Sequence, residues 1–458
     1  MAQRKNRKAQ GKKLKDVSRR DFIKATGAGM VAAGLGANII IPGRARAGTK
    51  KLKIIQWGHW VPPFDKWFDN TYLKEWGKKN GTEVTVDHIP YIGLNDRAVS
   101  EIKDKKGHDL FMFPWPPPAF EGQVIDHREI YRECEKRYGK AIPLAIKSTY
   151  NPRTKKYFGF CDSYSPCPIN YRKDLWDAMG LYPNTWEDVR VGGAKIKNKY
   201  GNPVGIGLSK DLDSNMAMRA IMYSYGASVK DEEGNVVINS KQTLEAVKFV
   251  RALFKEAMTP EVLNWDGASN NSFMLKGKGS LVVNAVSILR TAEKNKEMAE
   301  ISKKILLAKA PAGPVRCMGL EHIVSVYVIW KFAENIEGAE QFLVDYIGNF
   351  RRAFLACEFY NFPCFPDTVP DLKKLIAKDP KADPPDKYKV LEDVLDWTTN
   401  VGYPGYANAA IDEIFGRGLI TTMFAKAATA ELTPEDAIKE AESKCKDIFA
   451  AWKRKGLV

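Results

Sequence analysis

The sequence predicts an α/β protein with more than one lobe. Segments with the pattern of β-strands alternate with segments of helical periodicity, an order typical of a parallel sheet covered by helices. The chain has 458 residues, more than one compact hydrophobic core usually supports, so two lobes or domains are expected. A hydrophobic content of 44% with 28% charged residues excludes a mostly disordered chain or a multi-span membrane protein.

The first elements of the mature chain follow one another closely. Three short runs are rich in β-branched and apolar residues, and the two segments between them fit helices. The predicted order is strand Leu52–Trp57, helix Phe64–Lys79, strand Glu83–Asp87, helix Arg97–Lys105 and strand Asp109–Phe113. This order predicts a parallel, doubly wound sheet, in which ligands bind beyond the carboxyl ends of the strands. The loops Gly58–Trp60 and Pro114–Pro116 are therefore candidate ligand-contact segments.

The net charge of +16 is concentrated at the amino terminus. Met1–Ala47 contains twelve Lys or Arg residues against two Asp, and the rest of the chain contains 59 basic and 53 acidic residues. A basic stretch leads to Ser18-Arg19-Arg20-Asp21-Phe22-Ile23-Lys24, then to an uncharged run over Ala25–Ile41, then to Ala45-Arg46-Ala47. This is the order of an export signal, and the paired arginines resemble the twin-arginine signal. We expect a signal peptide over 1–47, cleavage after Ala47 and a periplasmic protein that folds before export.

Cysteines and histidines give no sign of a metal or cofactor site. All seven cysteines follow the predicted signal, and none has the C-x-x-C spacing of zinc, haem or thioredoxin-like sites. Some could pair in an oxidising compartment, and the nearest in sequence are Cys161 with Cys167 and Cys357 with Cys364. The five histidines are scattered without H-x-x-x-H spacing. We predict no metal, no cofactor and no catalytic residue.

The segment 170–188 carries a recognisable pattern. It contains Asn-Tyr, a basic residue, Asp-Leu, Met-Gly-Leu and Pro-x-Thr-Trp-Glu-Asp, in which Gly180 ends a short helix and Thr185 is placed to cap the next one. This segment resembles the extracellular solute-binding proteins of ABC importers, in the family typified by maltose-binding protein, with Met179 at the family's alanine position. Further elements follow in the family's order: 265–284, 310–314, 335–343, 362–366 and 433–437. The resemblance covers about 52–457.

The resemblance implies a two-lobed periplasmic-binding-protein fold of type II, with the ligand in a cleft between α/β lobes joined by hinge crossovers. We expect the crossovers near Cys161–Ser163, Cys317–Glu321 and Pro363–Pro366. The first lobe is then 48–161 plus 318–363, and the second lobe is 162–317 plus 364–458.

The implied function is capture of a small polar solute, a sugar or a polyol, and its delivery to the permease subunits of an ABC importer, without covalent chemistry. Aromatic rings near strand ends or crossovers would pack against sugar faces, and polar side chains there would bind hydroxyl groups. The candidate ligand-binding residues are Trp57, His59, Trp60, Trp115, Asp162, Tyr164, Trp265, Asp266, Asn284, Glu321, Tyr360 and Tyr403. Asp266 could instead cap the helix that follows it. The expected partners are the ligand, the permease and the twin-arginine export machinery, with no nucleic acid, and the chain is expected to act as a monomer.

One departure from the family pattern concerns the ligand. Sugar binders of the family often carry Gly-Pro-Trp after the asparagine that Asn284 matches, and this chain has Ala285-Val286-Ser287 there. A stacking platform is therefore missing, which favours a smaller polyol, a monosaccharide or another polar solute over a maltose-like oligosaccharide.

Two other classes compete with this interpretation. Twin-arginine signals often carry exported enzymes, but the chain has no Walker loop and no G-x-S-x-G, and Lys276–Ser280 lacks the phosphate-loop spacing. The positive charge could suggest a nucleic-acid binder, but after Ala47 only short basic runs remain, such as Lys103–Lys106, which an acidic residue interrupts.

Overall fold

The computed structural model describes residues 50–458, and the predicted signal peptide 1–47 lies outside these described residues. Two main sheets organise this part of the chain, one in each lobe. The strands are β1 (Lys50–Trp57), β2 (Thr82–Ile89), β3 (Leu110–Phe113), β4 (Tyr150–Asn151), β5 (Lys156–Tyr157), β6 (Phe160–Ser165), β7 (Ile169–Arg172), β8 (Val204–Gly205), β9 (Leu281–Val283), β10 (Ile305–Ala308), β11 (Gly319–Leu320), β12 (Ile323–Ile329), β13 (Phe362–Pro363) and β14 (Thr398–Thr399).

Helices surround both sheets. They are α1 (Pro63–Trp67), α2 (Leu73–Asn80), α3 (Leu94–Asp104), α4 (Arg128–Tyr138), α5 (Pro143–Thr149), α6 (Lys173–Asp177), α7 (Trp186–Tyr200), α8 (Leu212–Ser224), α9 (Lys241–Ala257), α10 (Ser269–Leu275), α11 (Ser287–Lys294), α12 (Ala299–Lys304), α13 (Ile336–Gly348), α14 (Phe350–Ala356), α15 (Leu372–Ala377), α16 (Ala409–Gly416), α17 (Leu419–Ala428) and α18 (Pro434–Arg454). A π-helical turn, Phe68–Tyr72, joins α1 to α2 where the sequence predicts one continuous helix. Within residues 50–458, no helix is long and apolar enough to cross a membrane.

The first lobe contains a six-stranded sheet with the order β13-β6-β12-β3-β1-β2. β1 runs parallel to β2 and β3, as the sequence predicts. β12 is antiparallel to both β3 and β6, so the complete sheet is mixed and the predicted parallel arrangement holds only for its first three strands. β12 is an unbroken run of apolar and small residues because both faces of the strand are buried.

The second lobe contains a four-stranded sheet with the order β10-β7-β9-β8. Trp176 anchors α6 to this sheet, since its indole N–H donates to the carbonyl of Ser280 at 3.1 Å. α7 lies so close to β8 that a Cβ atom at Gly193 would be 2.4 Å from Cγ2 of Val204. A glycine is therefore required at this helix–strand contact.

The chain passes between the lobes through β6, β12 and β13, which we call the hinge strands. β13 and β12 flank β6 in the first sheet, so the three hinge strands lie side by side. β6 continues to Ser165, four residues beyond the end of the predicted first segment of the first lobe, and β7 of the second sheet begins at Ile169. The two-lobed type II architecture is confirmed, and the exact division of the chain between the lobes stays a prediction.

The start of α7 shows how local sequence fixes a helix. Thr185 accepts a hydrogen bond from the amide of Asp188 at 3.0 Å, and the Asp188 carboxylate accepts one from the Thr185 amide at 3.0 Å. This reciprocal pair is a capping box, so the predicted cap at Thr185 is confirmed.

We expect Thr185→Ala to lower the free energy of unfolding by about 1 kcal/mol, because the Asp188 amide loses its acceptor. Denaturant unfolding followed by circular dichroism measures this difference. The matched control is Thr429→Ala at the exposed end of α17, which should change stability by less than about 0.5 kcal/mol. Equal losses in the two variants would contradict the capping role.

Candidate functional site

A small cavity lies between the two lobes, beyond the carboxyl ends of β1 and β2. Its first-lobe wall is formed by Trp60, which follows β1, and by Tyr91, which follows β2. Its other lining residues are Leu212, Asp213, Gly267, Asn271, Asn284, Ser287 and His322. We call this space the interlobe cavity. Its volume is about 10 Å³, room for about one water molecule, so the two lobes are in close contact around this point.

A chain of hydrogen bonds links the hinge to the second lobe at this cavity. Asp213 accepts from Nε2 of His322, and Nδ1 of His322 lies 3.0 Å from the hydroxyl oxygen of Tyr360. The second carboxylate oxygen of Asp213 accepts from the amide of Asn270 at 2.6 Å. His322 immediately precedes β12, and Tyr360 lies two residues before β13, so the hinge strands position both side chains.

Three asparagines continue this polar chain. The Asn284 amide group donates to the side-chain oxygens of Asn270, at 3.0 Å, and of Asn271. Asn271 in turn donates to the Ser287 hydroxyl at 3.3 Å. All of these side chains are buried, and their polar groups form hydrogen bonds with one another. Asn271, Asn284 and Ser287 also line the interlobe cavity, where they present donors and acceptors.

An aromatic cluster lies behind the cavity. Trp57 stacks on His59 with ring centroids 4.9 Å apart, and the edge of Tyr360 packs against His59 at 4.9 Å. His59 accepts a hydrogen bond from the amide of Val61 on Nδ1, and burial lowers the pKa of His59 to about 3. His59 is therefore neutral at physiological pH, and it supports the loop that carries Trp60.

The backbone before Tyr360 adopts an unusual conformation. Glu358 and Phe359 have φ angles of 52° and 68°, in the left-handed region that residues with a side chain rarely occupy. Such residues persist where the surroundings hold them in place, and here the chain turns to bring Tyr360 against His322 and His59.

The polar chain ends in a hydroxyl group on each side. The hydroxyl at one end belongs to Tyr360, which is fully buried and does not line the interlobe cavity, and the hydroxyl at the other end belongs to Ser287, which does line it. Burial raises the pKa of Tyr360 well above its usual range, so the hydroxyl keeps its proton. Within residues 50–458, no group of three His, Cys, Asp or Glu side chains is arranged to hold a metal ion.

The predicted site residues fall into several places. Trp60 and Asn284 line the interlobe cavity, and Trp57, His59 and Tyr360 form the cluster behind it. Trp265 lies to one side, where its ring packs 5.1 Å from Phe273.

Asp266 holds the turn before α10. Its carboxylate accepts from the amide of Ala268 at 3.2 Å and from the Ser269 hydroxyl at 2.7 Å. Asp266 therefore stabilises the turn that leads into α10 without being its N-cap, which is Ala268, and neighbouring Gly267 reaches the cavity.

Four predicted residues lie in other contacts between or within the lobes. Trp115 packs 6.0 Å from Phe415, and Tyr403 packs 4.9 Å from Tyr223 and contacts Arg316. Tyr164 packs 5.8 Å from Phe362 of the adjacent hinge strand. Glu321 is fully buried, accepts from the Val401 amide at 3.1 Å, and has its pKa raised well above the usual range by burial.

The twelfth predicted residue, Asp162, is buried inside hinge strand β6. One carboxylate oxygen accepts from the Ser163 hydroxyl at 3.0 Å, and the other has no hydrogen-bond partner among the described residues. Burial raises the pKa of Asp162 to about 7. Its place in the strand therefore makes it a hinge residue, since it does not line the cavity.

Sequence reasoning missed several residues that line the cavity, namely Tyr91, Leu212, Asp213, Asn271, Ser287 and His322. Tyr91 could have been found, because it follows the second predicted strand and obeys the rule that selected the loops after the first and third. Asp213 carried no comparable signal, since it lies in the first turn of a helix far from any crossover in sequence.

A larger groove lies beside the interlobe cavity. It has a volume of about 1020 Å³, lies between the α1 region and α11, and shares Trp60 with the interlobe cavity. Four of its lining side chains are basic and none is acidic; the basic ones are Lys66, Arg290, Lys294 and Lys296. We call it the basic groove.

A two-lobed α/β fold with a polar cavity between its lobes defines a binding protein of the periplasmic class. The chain belongs to the family of bacterial extracellular solute-binding proteins, whose sequence profile matches residues 60–348. A twin-arginine signal profile matches residues 16–36, so the protein is exported to the periplasm. The predicted family, its solute-binding role and the export signal are confirmed, and the alternative of an exported enzyme finds no support in these matches.

Known proteins with the same architecture include sugar and polyol binders. A sugar transporter from Arthrobacter chlorophenolicus A6 with bound laminaribiose has 17% identity and a TM-score of 0.71, over 87% of this chain and 99% of that one. A solute-binding protein from Agrobacterium radiobacter K84 in complex with ribitol has 17% identity and a TM-score of 0.66, over 87% of this chain and 98% of that one. At this identity the likeness shows the fold.

One relative found by sequence comparison matches only part of this chain. A binding protein of Brucella abortus (strain 2308) is 25% identical over 188 residues, which is 40% of this chain and 45% of the relative. The matched region thus spans less than half the length of this relative.

We expect Asp162 to make stability depend on pH. The folded protein keeps the Asp162 proton up to about pH 7, while the unfolded chain releases it near pH 4, so folding binds a proton in between. The free energy of unfolding that Asp162 contributes therefore falls as pH rises through this window. Asp162→Asn removes the effect, and its stability relative to wild type should rise by on the order of 4 kcal/mol from pH 4 to pH 8.

Denaturant unfolding of both proteins at several pH values measures this difference. Because the two proteins share all other buried groups, the difference reports on Asp162 alone. The exposed position 396 provides the control, because Asp396→Asn should differ from wild type by the same small amount throughout the range. A flat difference for Asp162→Asn would show that this carboxyl group is ionised in the folded protein.

Proposed function

We propose that this protein captures a small sugar or polyol in the interlobe cavity and delivers it to the permease of an ABC importer. The observation that carries the proposal is the connected polar set of Asp213, His322 and the three asparagines, enclosed by aromatic rings between two lobes. Hydroxyl groups both donate and accept hydrogen bonds, so a polyhydroxylated ligand matches a site that offers carboxylate, amide and imidazole groups together.

Binding would require the lobes to open first. The cavity of about 10 Å³ is far smaller than a monosaccharide, so a ligand gains access only after the second lobe moves away from Trp60 and Tyr91. On closure the ligand hydroxyls would replace internal contacts such as that between Asn270 and Asp213. The ligand thereby favours a wider closed state in which its own groups bridge the two lobes.

The two lobes would contribute different chemistry. Trp60 and Tyr91 supply apolar faces from the first lobe, and their rings are 6.3 Å apart at an angle of 52°. The polar groups come from the second lobe and the hinge. Tyr91 lines the same cavity as Asp213, and burial together with the nearby carboxylates, Asp213 among them, raises the pKa of Tyr91 above its usual range. This arrangement suits a ring or short chain with one apolar face and several hydroxyls.

The size of the ligand follows from the same residues. Ser287, at the start of α11, occupies the place where family sugar binders often carry a tryptophan, so the second lobe lacks a stacking platform there. This favours a monosaccharide or polyol inside the cavity. A single chain supplies both walls of the cavity, which supports a monomer as the working unit.

A screen of ligands tests the proposal directly. Thermal-shift measurements on the exported protein with sugars, polyols, polyamines and amino acids should reveal stabilisation by a polyhydroxylated compound. Tryptophan fluorescence should change on binding, with one ligand per chain, because Trp60 lines the cavity. Stabilisation by amino acids or polyamines alone would contradict the proposed ligand class, and stabilisation by no solute would contradict the binding site.

We expect Asp213→Asn to weaken binding of the ligand found in this screen by about tenfold to a hundredfold. The substitution keeps the shape of the side chain but removes the charged acceptor, and a hydrogen bond to a charged group is worth about 1.5–3 kcal/mol. Fluorescence titration gives the Kd. Asp104→Asn, at the exposed end of α3, is the matched control and should leave the Kd unchanged. Unchanged affinity in Asp213→Asn would place the ligand elsewhere.

A further inference from the structure

Two cysteines meet between the hinge strands. Cys161 lies in β6, Cys364 directly follows β13, and their Sγ atoms are 3.3 Å apart. Both side chains are fully buried. In the sequence, the nearest candidates for pairing are Cys161 with Cys167 and Cys357 with Cys364. The fold instead places Cys161 of the first pair next to Cys364 of the second.

A strand irregularity explains this contact. Along β6, Ser163 pairs with Ser325 of β12, and Cys161 pairs with the next residue, Val326, so Asp162 is an extra residue in the ladder. Such a bulge changes the direction in which the neighbouring side chain points. On the other edge of β6, the Cys364 amide donates to the carbonyl of Asp162 at 3.0 Å, which fixes Cys364 beside Cys161.

We propose that Cys161 and Cys364 form a disulfide bond in the exported protein. A disulfide bond is about 2.05 Å long, so the two sulfur atoms need to approach by little more than 1 Å, which side-chain rotation can supply. The other sulfur contacts in residues 50–458 differ in kind. Cys317 donates to the carbonyl of Ala310 at 3.0 Å, and Cys357 donates to that of Phe354 at 3.2 Å.

The reaction is an exchange with an external disulfide. One cysteine thiolate attacks a protein or small-molecule disulfide of the periplasm and forms a mixed disulfide, releasing one thiol. The second thiolate then attacks the sulfur of the first cysteine and releases the other thiol. Two S–H bonds are lost, one S–S bond forms, and the two electrons and two protons pass to the incoming disulfide, which becomes two thiols.

Export and burial determine when the bond forms. A twin-arginine substrate folds in the cytoplasm, where thiols stay reduced, so oxidation follows export. Burial raises the pKa of Cys161 well above its usual range and raises that of Cys364, so few thiolates form while the hinge is closed. The reaction therefore proceeds when the hinge region opens to the oxidant.

The bond would join two of the three hinge strands. The two cysteines are 203 positions apart, so the bond would close a loop that contains the predicted first segment of the second lobe, 162–317, and the predicted second segment of the first lobe, 318–363. Closing a long loop reduces the entropy of the unfolded chain, and the oxidised protein should therefore unfold at a higher temperature than the reduced protein.

The test uses the full chain expressed with its own signal and purified from the periplasm without reductant. Thiol titration in denaturant should find two fewer thiols than the seven present after reduction, and mass spectrometry of non-reduced peptides should find Cys161 linked to Cys364. The oxidised protein should melt at roughly 5 °C above the reduced protein. Seven free thiols after incubation with glutathione disulfide in mild denaturant, or a link between other cysteines, would overturn the proposal.

Two single variants separate this bond from general effects of losing a buried thiol. Cys161→Ala should have the same number of thiols and the same melting temperature with and without reductant. Cys445→Ala removes a buried cysteine of α18 and should keep both the linked peptide and the temperature difference. If Cys161→Ala does not fold, peptide mapping of the wild-type protein still decides, and loss of the link in Cys445→Ala would contradict the assignment.

Discussion

The fold depends on the lateral pairing of the three hinge strands. β6 carries the chain out of the first lobe, β12 brings it back, and β13 carries it out again, and all three are hydrogen-bonded neighbours in one sheet. Residues at their ends are therefore close in space although they are distant in sequence. His322 enters β12 with its amide bound to the carbonyl of Ser165 at 2.8 Å, and Tyr360 meets it from the segment before β13. The position of the interlobe cavity follows from this pairing.

Burying the hinge strands imposes a cost on their polar residues. Asp162 lies in hinge strand β6, and Glu321 lies in the short link between β11 and β12. Both carboxyl groups are buried, and each has an oxygen without a hydrogen-bond partner among the described residues. Burial favours the neutral forms of both groups, which limits the cost of desolvation. The charge of Arg219, itself fully buried, opposes this effect at Glu321.

The sequence predicts the architecture well because most of its elements are determined locally. Thr185 caps α7, and Thr433 caps the last helix. In each case the side-chain oxygen accepts a hydrogen bond from the unpaired amide three residues later, and this local contact does not depend on tertiary structure. The site is harder to predict. Trp60 and Asn284 each follow a strand, and ligands in such folds bind beyond strand ends, so the sequence identifies both as candidates. Asp213 reaches the cavity only because α8 packs beside the hinge. The pairing of Cys161 with Cys364 depends on a one-residue bulge, which periodicity does not show.

Under the proposed function, the hydrogen bonds inside the interlobe cavity would also determine ligand affinity. In the absence of a guest, the polar side chains already satisfy one another, as in the contacts of Asn284 with Asn270 and Asn271. A ligand gains only the difference between its own hydrogen bonds and those it displaces, so a solute that only donates or only accepts would leave buried groups unpaired. Hydroxyl groups avoid this penalty because each can replace a donor and an acceptor at once. Under the proposed function, selectivity for polyhydroxylated solutes would follow from this internal pairing as much as from any single contact with the ligand.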